Sequence, residues 1–213
     1  MIDGPLSVRS SERQQMFMNW PERVWIYSPL RVFFLRRHAE TWRRLVGACE
    51  AECVLEIGCG LGRGARILAE NLGFKKIFAF DLEEGLIRRA AKNVRHHLRS
   101  RIWFFVGDAQ DLPFGSSKFD AVVNYGIIHH VVDWRRCIGE IGRVLKSGGM
   151  FYFEEIYPPL YSNFVMKRLV RHPTQDRFDG PEFLQALEVN HLRLINGVRT
   201  TSPFGIVGVA RKD

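Results

Sequence analysis

The sequence predicts a doubly wound α/β fold, in which a mostly parallel sheet carries helices on both faces and closes with an antiparallel hairpin. From Ala51 onward, apolar runs of strand length alternate with segments of helical periodicity. This alternation is typical of parallel strands that are joined by crossover helices. Near the C-terminus, two strand-like runs are separated only by Thr200–Pro203, which is long enough for a hairpin but too short for a crossover.

Five strands are expected first, each an apolar run of five or six residues: Cys53–Ile57, Lys76–Phe80, Ile102–Val106, Phe119–Asn124 and Met150–Glu154. The helices predicted between them are Arg63–Leu72, Glu83–Leu98 and Asp133–Leu145. Gly73 and Gly148 stand where a helix end needs a left-handed residue.

The last third of the chain begins with a break at Pro158 and Pro159. An amphipathic stretch follows at Leu160–Val170, and a helix is predicted from Pro181 to about Val189. The two hairpin strands are expected at Leu192–Arg199 and Phe204–Ala210. We therefore divide the chain into an N-terminal extension, residues 1–50, and one α/β domain, residues 51–213.

The composition is that of an ordinary globular protein: 213 residues, 46% hydrophobic and 25% charged, which excludes a disordered chain. No run approaches the ~20 apolar residues of a membrane span. Residues 1–15 lack the apolar core of a secretion signal, so a cytoplasmic protein is expected. The four cysteines form no C-x-x-C pair, and we expect neither a disulfide framework nor a metal site. They are Cys49, Cys53, Cys59 and Cys137.

The net charge of +8 is spread along the chain. A dedicated nucleic-acid module usually shows as a dense basic block, and no such block is present. The densest piece, Arg88–Arg101, is predicted to be a surface helix with a solvated basic face, and an anionic partner is the alternative.

A glycine-rich turn follows the first strand in the segment Val54–Gly62, VLEIGCGLG. Glycines let a backbone approach a ligand closely, and the helix that follows offers unpaired N–H groups. A dinucleotide fingerprint, G-x-G-x-x-G, would need glycine where Arg63 stands. The turn therefore indicates a ligand other than a nicotinamide dinucleotide, with a tight turn that binds nothing as the alternative.

Three successive strands carry an acidic residue at or near their carboxyl ends: Glu56, Asp81 and Asp108. Ligands of such sheets bind outside these strand ends, and an acid at the end of the second strand reaches ribose hydroxyls. Each acid alone could instead cap a helix. Together the three predict one crevice with a bound ligand.

This set of motifs resembles the class I S-adenosylmethionine-dependent methyltransferases, the broad group that includes quinone-biosynthesis C-methyltransferases and other small-molecule methyltransferases. The matching pieces are VLEIGCGLGRG, AFDLEEGLIRRA, VGDAQDLPF, KFDAVVNYGIIHHVVDW and EIGRVLKSGGMFYFEE, which together cover roughly residues 51–155. The resemblance implies a Rossmann-like sheet of seven strands, the last antiparallel. It also implies S-adenosylmethionine as cofactor, S-adenosylhomocysteine as product, and no particular acceptor.

The resemblance assigns the methionine part of the cofactor to the glycine turn. Glu56 and the backbone around Gly58 and Gly60 would contact it, with Gly62 completing the turn. Cys59 stands at a family position often held by cysteine, and we interpret it as a small turn residue rather than a nucleophile.

By the same resemblance, Asp81 would bind the ribose hydroxyls and Leu82 would pack on the adenine. Asp108 would accept a hydrogen bond from the adenine amino group, and the backbone N–H of Ala109 would meet the ring.

The candidates beside the methyl group follow the fourth strand. The resemblance implies that Asn124 and Tyr125 flank the sulfonium methyl. His129 and His130 could supply a general base for a hydroxyl, amine or carbon acid. The alternative is that one histidine packs or caps the next helix while the other is exposed. Tyr157 could also face the acceptor, and no catalytic triad is expected because proximity and alignment carry methyl transfer.

The N-terminal extension contains a segment rich in aromatics and arginine, Trp20–Ala48. Its apolar residues recur at helical spacing and predict a helix packed on the domain: Val32, Leu35, Ala39, Trp42 and Val46. Its arginines lie mostly elsewhere on the circumference: Arg36, Arg37, Arg43 and Arg44. The alternatives are a lid over the acceptor, or a basic amphipathic helix on an anionic membrane.

We therefore expect a methyltransferase acting on a small, apolar or amphipathic molecule. An RNA methyltransferase is the alternative, but Asn124-Tyr125-Gly126 stands where a base-stacking [ND]-P-P-[YF] motif would lie, and Cys137 is too far along to attack a pyrimidine. A non-catalytic protein with the same fold and a nicotinamide oxidoreductase are the least favoured.

Overall fold

The computed structural model of the protein describes residues 20–48, 50–161 and 176–213. The N-terminal extension forms two helices, α1 (Trp20–Tyr27) and α2 (Pro29–Val46). The helices of the α/β domain are α3 (Arg63–Asn71), α4 (Glu84–Asn93), α5 (Trp134–Val144), α6 (Pro158–Tyr161) and α7 (Gly180–Val189). Its strands are β1 (Cys53–Ile57), β2 (Lys76–Asp81), β3 (Ile102–Val106), β4 (Phe119–Tyr125), β5 (Leu145–Ile156), β6 (Leu192–Ser202) and β7 (Gly205–Lys212).

Within these ranges the strands form a seven-stranded sheet in the order β3-β2-β1-β4-β5-β7-β6. Strands β1 to β5 pair in parallel, whereas β7 runs antiparallel to both β5 and β6. The predicted fold class and the closing hairpin are confirmed. The strand order reverses between β1 and β4, and such a switch point opens a crevice at the carboxyl ends of the strands.

Both faces of the sheet are covered, because successive residues of each strand point to opposite sides. Leu55 and Ile57 lie on the face that α5 and α7 cover. Val54 lies on the other face, with residues of α2, α3 and α4.

The predicted helix Glu83–Leu98 is wrong in its second half. Helix α4 ends at Asn93, because Val94 and Arg95 adopt extended conformations with ψ of 132° and 143°. A short 3₁₀ helix, His96–Leu98, then turns Leu98 into the core. Asparagine and β-branched valine are weak helix formers, and the burial of Leu98 decides the path. The basic piece is therefore not one continuous surface helix.

Other boundaries differ less from the prediction. Strand β5 begins at Leu145, which pairs with Phe119, five residues before the predicted start. Gly73 and Gly148 have φ of 74° and 76°, the left-handed conformation that was predicted. Of the amphipathic stretch Leu160–Val170, residues 162–170 lie outside the described residues, as does Cys49.

Helix α2 packs on the domain through the residues that its periodicity indicates: Leu35, Ala39 and Trp42 are buried. Ser28 caps the helix by accepting a hydrogen bond from the N–H of Leu30. The ring of Trp42 lies 4.9 Å from that of Tyr125 and 5.7 Å from that of Tyr152. The extension therefore shares its core with β4 and β5.

Replacement of Trp42 by alanine should lower the free energy of unfolding by about 3–5 kcal/mol, because it leaves a cavity between α2 and the sheet. Urea unfolding of both proteins measures the difference. The matched control is Trp103→Ala, since Trp103 lies on the edge strand β3 and is 41% exposed. Equal losses in the two variants would contradict the shared core.

Candidate active site

A pocket opens at the carboxyl ends of β1, β2 and β3. Seven of the predicted site residues line it: Gly58, Gly60, Asp81, Leu82, Asp108, Ala109 and His130. Six others lie behind or beside its wall: Glu56, Cys59, Gly62, Asn124, Tyr125 and His129. The structure thus brings together the residues assigned to ribose and adenine, and separates the two adjacent histidines.

The glycine turn has the left-handed backbone that its sequence indicates. Gly58, Gly60 and Gly62 have φ of 66°, 52° and 71°. A Cβ on Gly58 would also lie 2.5 Å from a side-chain carbon of Ile127, so this turn packs directly against the segment that follows β4. Cys59 is buried and donates its N–H to the carbonyl of Phe80, which suits a turn residue.

Asp81 connects the glycine turn to the end of β2. One carboxylate oxygen accepts from the N–H of Gly60 at 2.9 Å, and the other accepts from the N–H of Glu83 at 3.0 Å. Burial raises the pKa of Asp81, and these hydrogen bonds oppose the shift. The carboxylate is therefore held in place at the pocket wall.

Asp108 is oriented by a residue that the sequence analysis missed. Gln110 donates its backbone N–H to Oδ1 of Asp108 at 2.9 Å and its side-chain amide to the same carboxylate. The amide oxygen of Gln110 accepts from the N–H of Asp133, which links β3 to the start of α5. No sequence signal beyond its position next to Ala109 pointed to Gln110.

Glu56 is a buried acid behind the glycine turn. Only 2% of its surface is exposed, and burial raises the pKa of Glu56 to about 8 although the N–H of Ala65 donates to it. Its Oε2 atom has no hydrogen-bond partner among the described residues. Gly64 makes room for the carboxylate, since a Cβ there would overlap Oε1. An unpartnered carboxylate oxygen suits a cationic ligand group.

Asn124 and Tyr125 are buried and serve the turn after β4. The side-chain amide of Asn124 donates to Glu155 at 2.6 Å, and its oxygen accepts from the N–H of Ile127 at 3.0 Å. The ring of Tyr125 packs on Trp42, and burial raises its pKa well above the ordinary value. Neither side chain lines the pocket.

The two histidines occupy different environments. The ring of His129 is buried, with Nδ1 2.7 Å from Oε2 of Glu155, and burial lowers the pKa of His129 to about 3. His130 lines the pocket, and its ring centroid lies 4.2 Å from that of His129. The histidine that faces the ligand space is therefore His130.

Helix α1 covers the pocket on the side of the glycine turn and Asp81. Ile26 lines the pocket, and Arg23 forms an ion pair with Glu83 at 2.9 Å. Arg63 donates hydrogen bonds to the carbonyls at the end of α1: those of Ile26, Tyr27 and Ser28. We expected this segment on the acceptor side, but it contacts the wall assigned to the cofactor, through an arginine that only the fold brings there.

Replacement of Arg63 by alanine should speed dissociation of a ligand from this pocket roughly 10-fold or more, since hydrogen bonds from a charged group are each worth about 1.5–3 kcal/mol. Stopped-flow displacement of S-adenosylhomocysteine measures the rate. Arg88→Ala is the control, because Arg88 pairs with Glu84 on the exposed surface of α4. An unchanged rate in the Arg63 variant would show that α1 does not restrain the ligand.

No group of three His, Cys, Asp or Glu side chains that could hold a metal ion occurs in residues 20–48, 50–161 and 176–213. In the same part of the chain, no helix is both long enough and apolar enough to cross a membrane.

Known proteins share these features. A family model described as a methyltransferase domain matches residues 55–153. A Mycolicibacterium smegmatis protein named a probable S-adenosylmethionine-dependent methyltransferase is 32% identical over 120 residues, 56% of this chain and 44% of that protein. A phthiotriol/phenolphthiotriol dimycocerosates methyltransferase of Mycobacterium tuberculosis is 37% identical over 105 residues, 49% of this chain and 38% of the relative.

Among solved structures, a geranyl diphosphate methyltransferase in complex with S-adenosylmethionine has a TM-score of 0.70 at 15% identity, covering 90% of this chain and 95% of that one. This likeness shows a common fold. The chain spans about two-fifths of the length of the curated relatives named above. The glycine turn, the acids at successive strand ends and the matched domain lead to one assignment: the chain belongs to the class I S-adenosylmethionine-dependent methyltransferases, and its cofactor is S-adenosylmethionine.

Proposed function

We propose that this protein transfers a methyl group from S-adenosylmethionine to a small apolar or amphipathic acceptor. The observation that carries the proposal is the pocket in which Asp81 and Asp108, from the ends of neighbouring strands, face one crevice beside the glycine turn. When bound, the cofactor supplies a methyl group on a positively charged sulfur, which is a good leaving group. The chain has to bind, orient and deprotonate.

The residues fit the cofactor part by part. The unpartnered oxygen of Glu56 would accept from the ammonium group, and Asp81 would accept from the ribose hydroxyls. Leu82, on the pocket wall and partly exposed, would pack against the adenine. Asp108 and the N–H of Ala109 would bind the edge of the ring. These roles are proposals that the position and burial of each group support.

On the acceptor side we assign the general base to His130. Tyr125 and His129 are weaker candidates, because the tyrosine is buried away from the pocket and the Nδ1 atom of His129 is engaged by Glu155. For a hydroxyl acceptor, a ring nitrogen of His130 would take the proton as the oxygen–methyl bond forms. Asn124 would act by holding the turn rather than by touching the methyl group.

The acceptor class follows from the pocket wall, which is apolar beyond the polar groups assigned to the cofactor. Ile26, Ile127, Val131 and Val132 line it. Apolar walls with few polar groups suit a small apolar ligand. A relative named for methylating phthiotriol and phenolphthiotriol dimycocerosates gives this proposal independent support.

The test is transfer of a labelled methyl group from S-adenosylmethionine to three classes of acceptor: lipid extracts, quinones and structured RNA. We expect label in one of the first two, and a large loss of turnover in His130→Gln with unchanged affinity for S-adenosylhomocysteine. Incorporation into RNA alone would favour the RNA methyltransferase instead. No incorporation into any class by a protein that binds the cofactor would contradict the proposed activity.

An apolar acceptor also raises the question of delivery, and the outer surface of α1 and α2 offers a contact with an anionic membrane. Val24, Trp25, Leu30 and Phe33 are exposed there, the last two by 53% and 58%. Four arginines of α2 are exposed farther along the helix: Arg36, Arg37, Arg43 and Arg44. Each basic residue near an anionic surface contributes about 1 kcal/mol.

We therefore expect the protein to sediment with vesicles that contain anionic lipid, and Phe33→Ser to weaken this association several-fold because it removes apolar contact area. The matched control is Phe204→Ser, since Phe204 is 53% exposed on the β6–β7 turn, away from α2. Equal effects of the two substitutions, or equal binding to uncharged vesicles, would contradict a specific contact through α1 and α2.

A further inference from the structure

Glu155, near the end of β5, is a buried acid that the proposed chemistry has not yet used. It is 1% exposed, and its neighbour Glu154 faces the opposite side of the sheet, toward Arg31 and His38 of α2. Glu155 instead faces the segment that follows β4, which carries His129 and His130. Two adjacent acids of one strand thus serve two different surroundings.

The carboxylate of Glu155 holds that segment at three points. Its Oε1 atom accepts from the side-chain amide of Asn124 at 2.6 Å and from the N–H of Ile128 at 2.8 Å. Its Oε2 atom lies 2.7 Å from Nδ1 of His129. Asn124 in turn accepts from the N–H of Ile127. One carboxylate therefore fixes both ends of the sharp turn between β4 and the 3₁₀ helix Ile128–His130.

Burial of this acid is costly, because a carboxylate out of water loses its hydration. Burial accordingly raises the pKa of Glu155 to about 7. An apolar side chain could fill the same space without that cost. A role in orienting the turn explains the acid better than a role in stability.

The orientation reaches the pocket through the paired rings. The ring centroids of His129 and His130 lie 4.2 Å apart with the planes tilted by 41°, so the position of the buried ring limits that of the other. The backbone of His130 is set by the same turn, since its N–H donates to the carbonyl of Ile127 at 2.9 Å.

We propose that Glu155 is a positioning residue that acts through His129: it fixes the ring of His129 and the 3₁₀ helix, and thereby holds His130 against the reacting atom of the acceptor. This inference rests on the proposed role of His130. It assigns Glu155 no contact with the cofactor, so its loss should slow turnover and leave cofactor affinity unchanged.

The first test is spectroscopic and independent of activity. In protein labelled with ¹⁵N-histidine, long-range ¹H–¹⁵N spectra report which ring nitrogen of each histidine carries a proton, and His129→Asn identifies the His129 signals. Glu155→Gln should change the His129 signals, whereas Glu154→Gln, the neighbouring acid on the other face, should not. Unchanged His129 signals in a folded Glu155→Gln protein would overturn the proposal.

The second test is kinetic. Glu155→Gln should lower kcat about 10- to 100-fold, near the lower part of the range for general base catalysis. The dissociation constant for S-adenosylhomocysteine should stay within about twofold, as expected for a site that the substitution does not touch. Glu155→Asp, which keeps the carboxylate but shortens its reach, should retain part of the activity and serves if Glu155→Gln does not fold.

A double-mutant cycle with His129→Asn completes the experiment. If Glu155 acts through His129, the double variant loses no more kcat than the worse single variant, whereas independent roles give additive losses. Additive losses, or equal loss of cofactor affinity and kcat, would overturn the inference. An inactive wild-type protein whose His129 signals still respond to Glu155→Gln would instead count against the proposed acceptor chemistry.

Discussion

Asp81→Ala should raise the dissociation constant for S-adenosylhomocysteine roughly 10- to 150-fold, because hydrogen bonds to a charged group are worth about 1.5–3 kcal/mol. The carboxylate lies on the pocket wall and already accepts from the N–H groups of Gly60 and Glu83. Its removal therefore takes away the proposed ribose acceptor and also releases the glycine turn. Both losses act against the same ligand.

Titration calorimetry with S-adenosylhomocysteine measures this effect without turnover. Asp179→Ala is the matched control: Asp179 caps α7 by accepting from the N–H of Glu182. Loss of that cap should cost about 0.5–2 kcal/mol of stability and leave the affinity unchanged. If Asp81→Ala folds and binds like the wild type, the placement of the ribose at the end of β2 is wrong.

Asp81 also illustrates what sequence reasoning can reach. An acid at the end of an apolar strand, a fixed interval after a glycine turn, is a local pattern, and parallel strands bring their carboxyl ends to one edge. The sheet order and the closing hairpin could be predicted for the same reason, since both follow from strand periodicity and connection length. The end of α4 could not, because the burial of Leu98 decides it.

The parts of the site that were missed depend on contacts between distant segments. In the sequence, His129 and His130 are equivalent neighbours, and Glu154 and Glu155 are as well. Only the packed fold turns His129 and Glu155 toward each other and leaves His130 in the pocket wall. Arg63 was considered only as the residue that interrupts a glycine pattern, although its side chain reaches the end of α1, 35 to 37 residues earlier.

The affinity for S-adenosylhomocysteine should increase as the pH rises from about 6 to about 8, and Glu56 is the reason. Burial raises the pKa of Glu56 to about 8, so in the free protein this carboxyl is largely protonated at pH 6. The proposed contact with the ligand's ammonium group favours the ionised form. Binding below pH 8 therefore releases a proton, and the affinity increases by at most about 10-fold per pH unit.

Glu56→Gln keeps the size of the side chain but cannot ionise. We expect the variant to bind about 10- to 150-fold more weakly at pH 8, the value of a lost hydrogen bond between charged groups. Its affinity should also vary much less between pH 6 and pH 8. A variant that keeps the full pH dependence of the wild type would show that another group titrates with binding.

The stability of the free protein should have the opposite pH dependence. The pKa of Glu56 is raised in the folded state, so its contribution to stability is fully present below its ordinary value of 4.5 and is lost as the pH rises toward about 8. Urea unfolding without ligand should therefore give a lower free energy at pH 8 than at pH 6, and Glu56→Gln should reduce this difference. Because the ligand restores a partner to the same carboxylate, the stabilisation by S-adenosylhomocysteine should be larger at pH 8 than at pH 6.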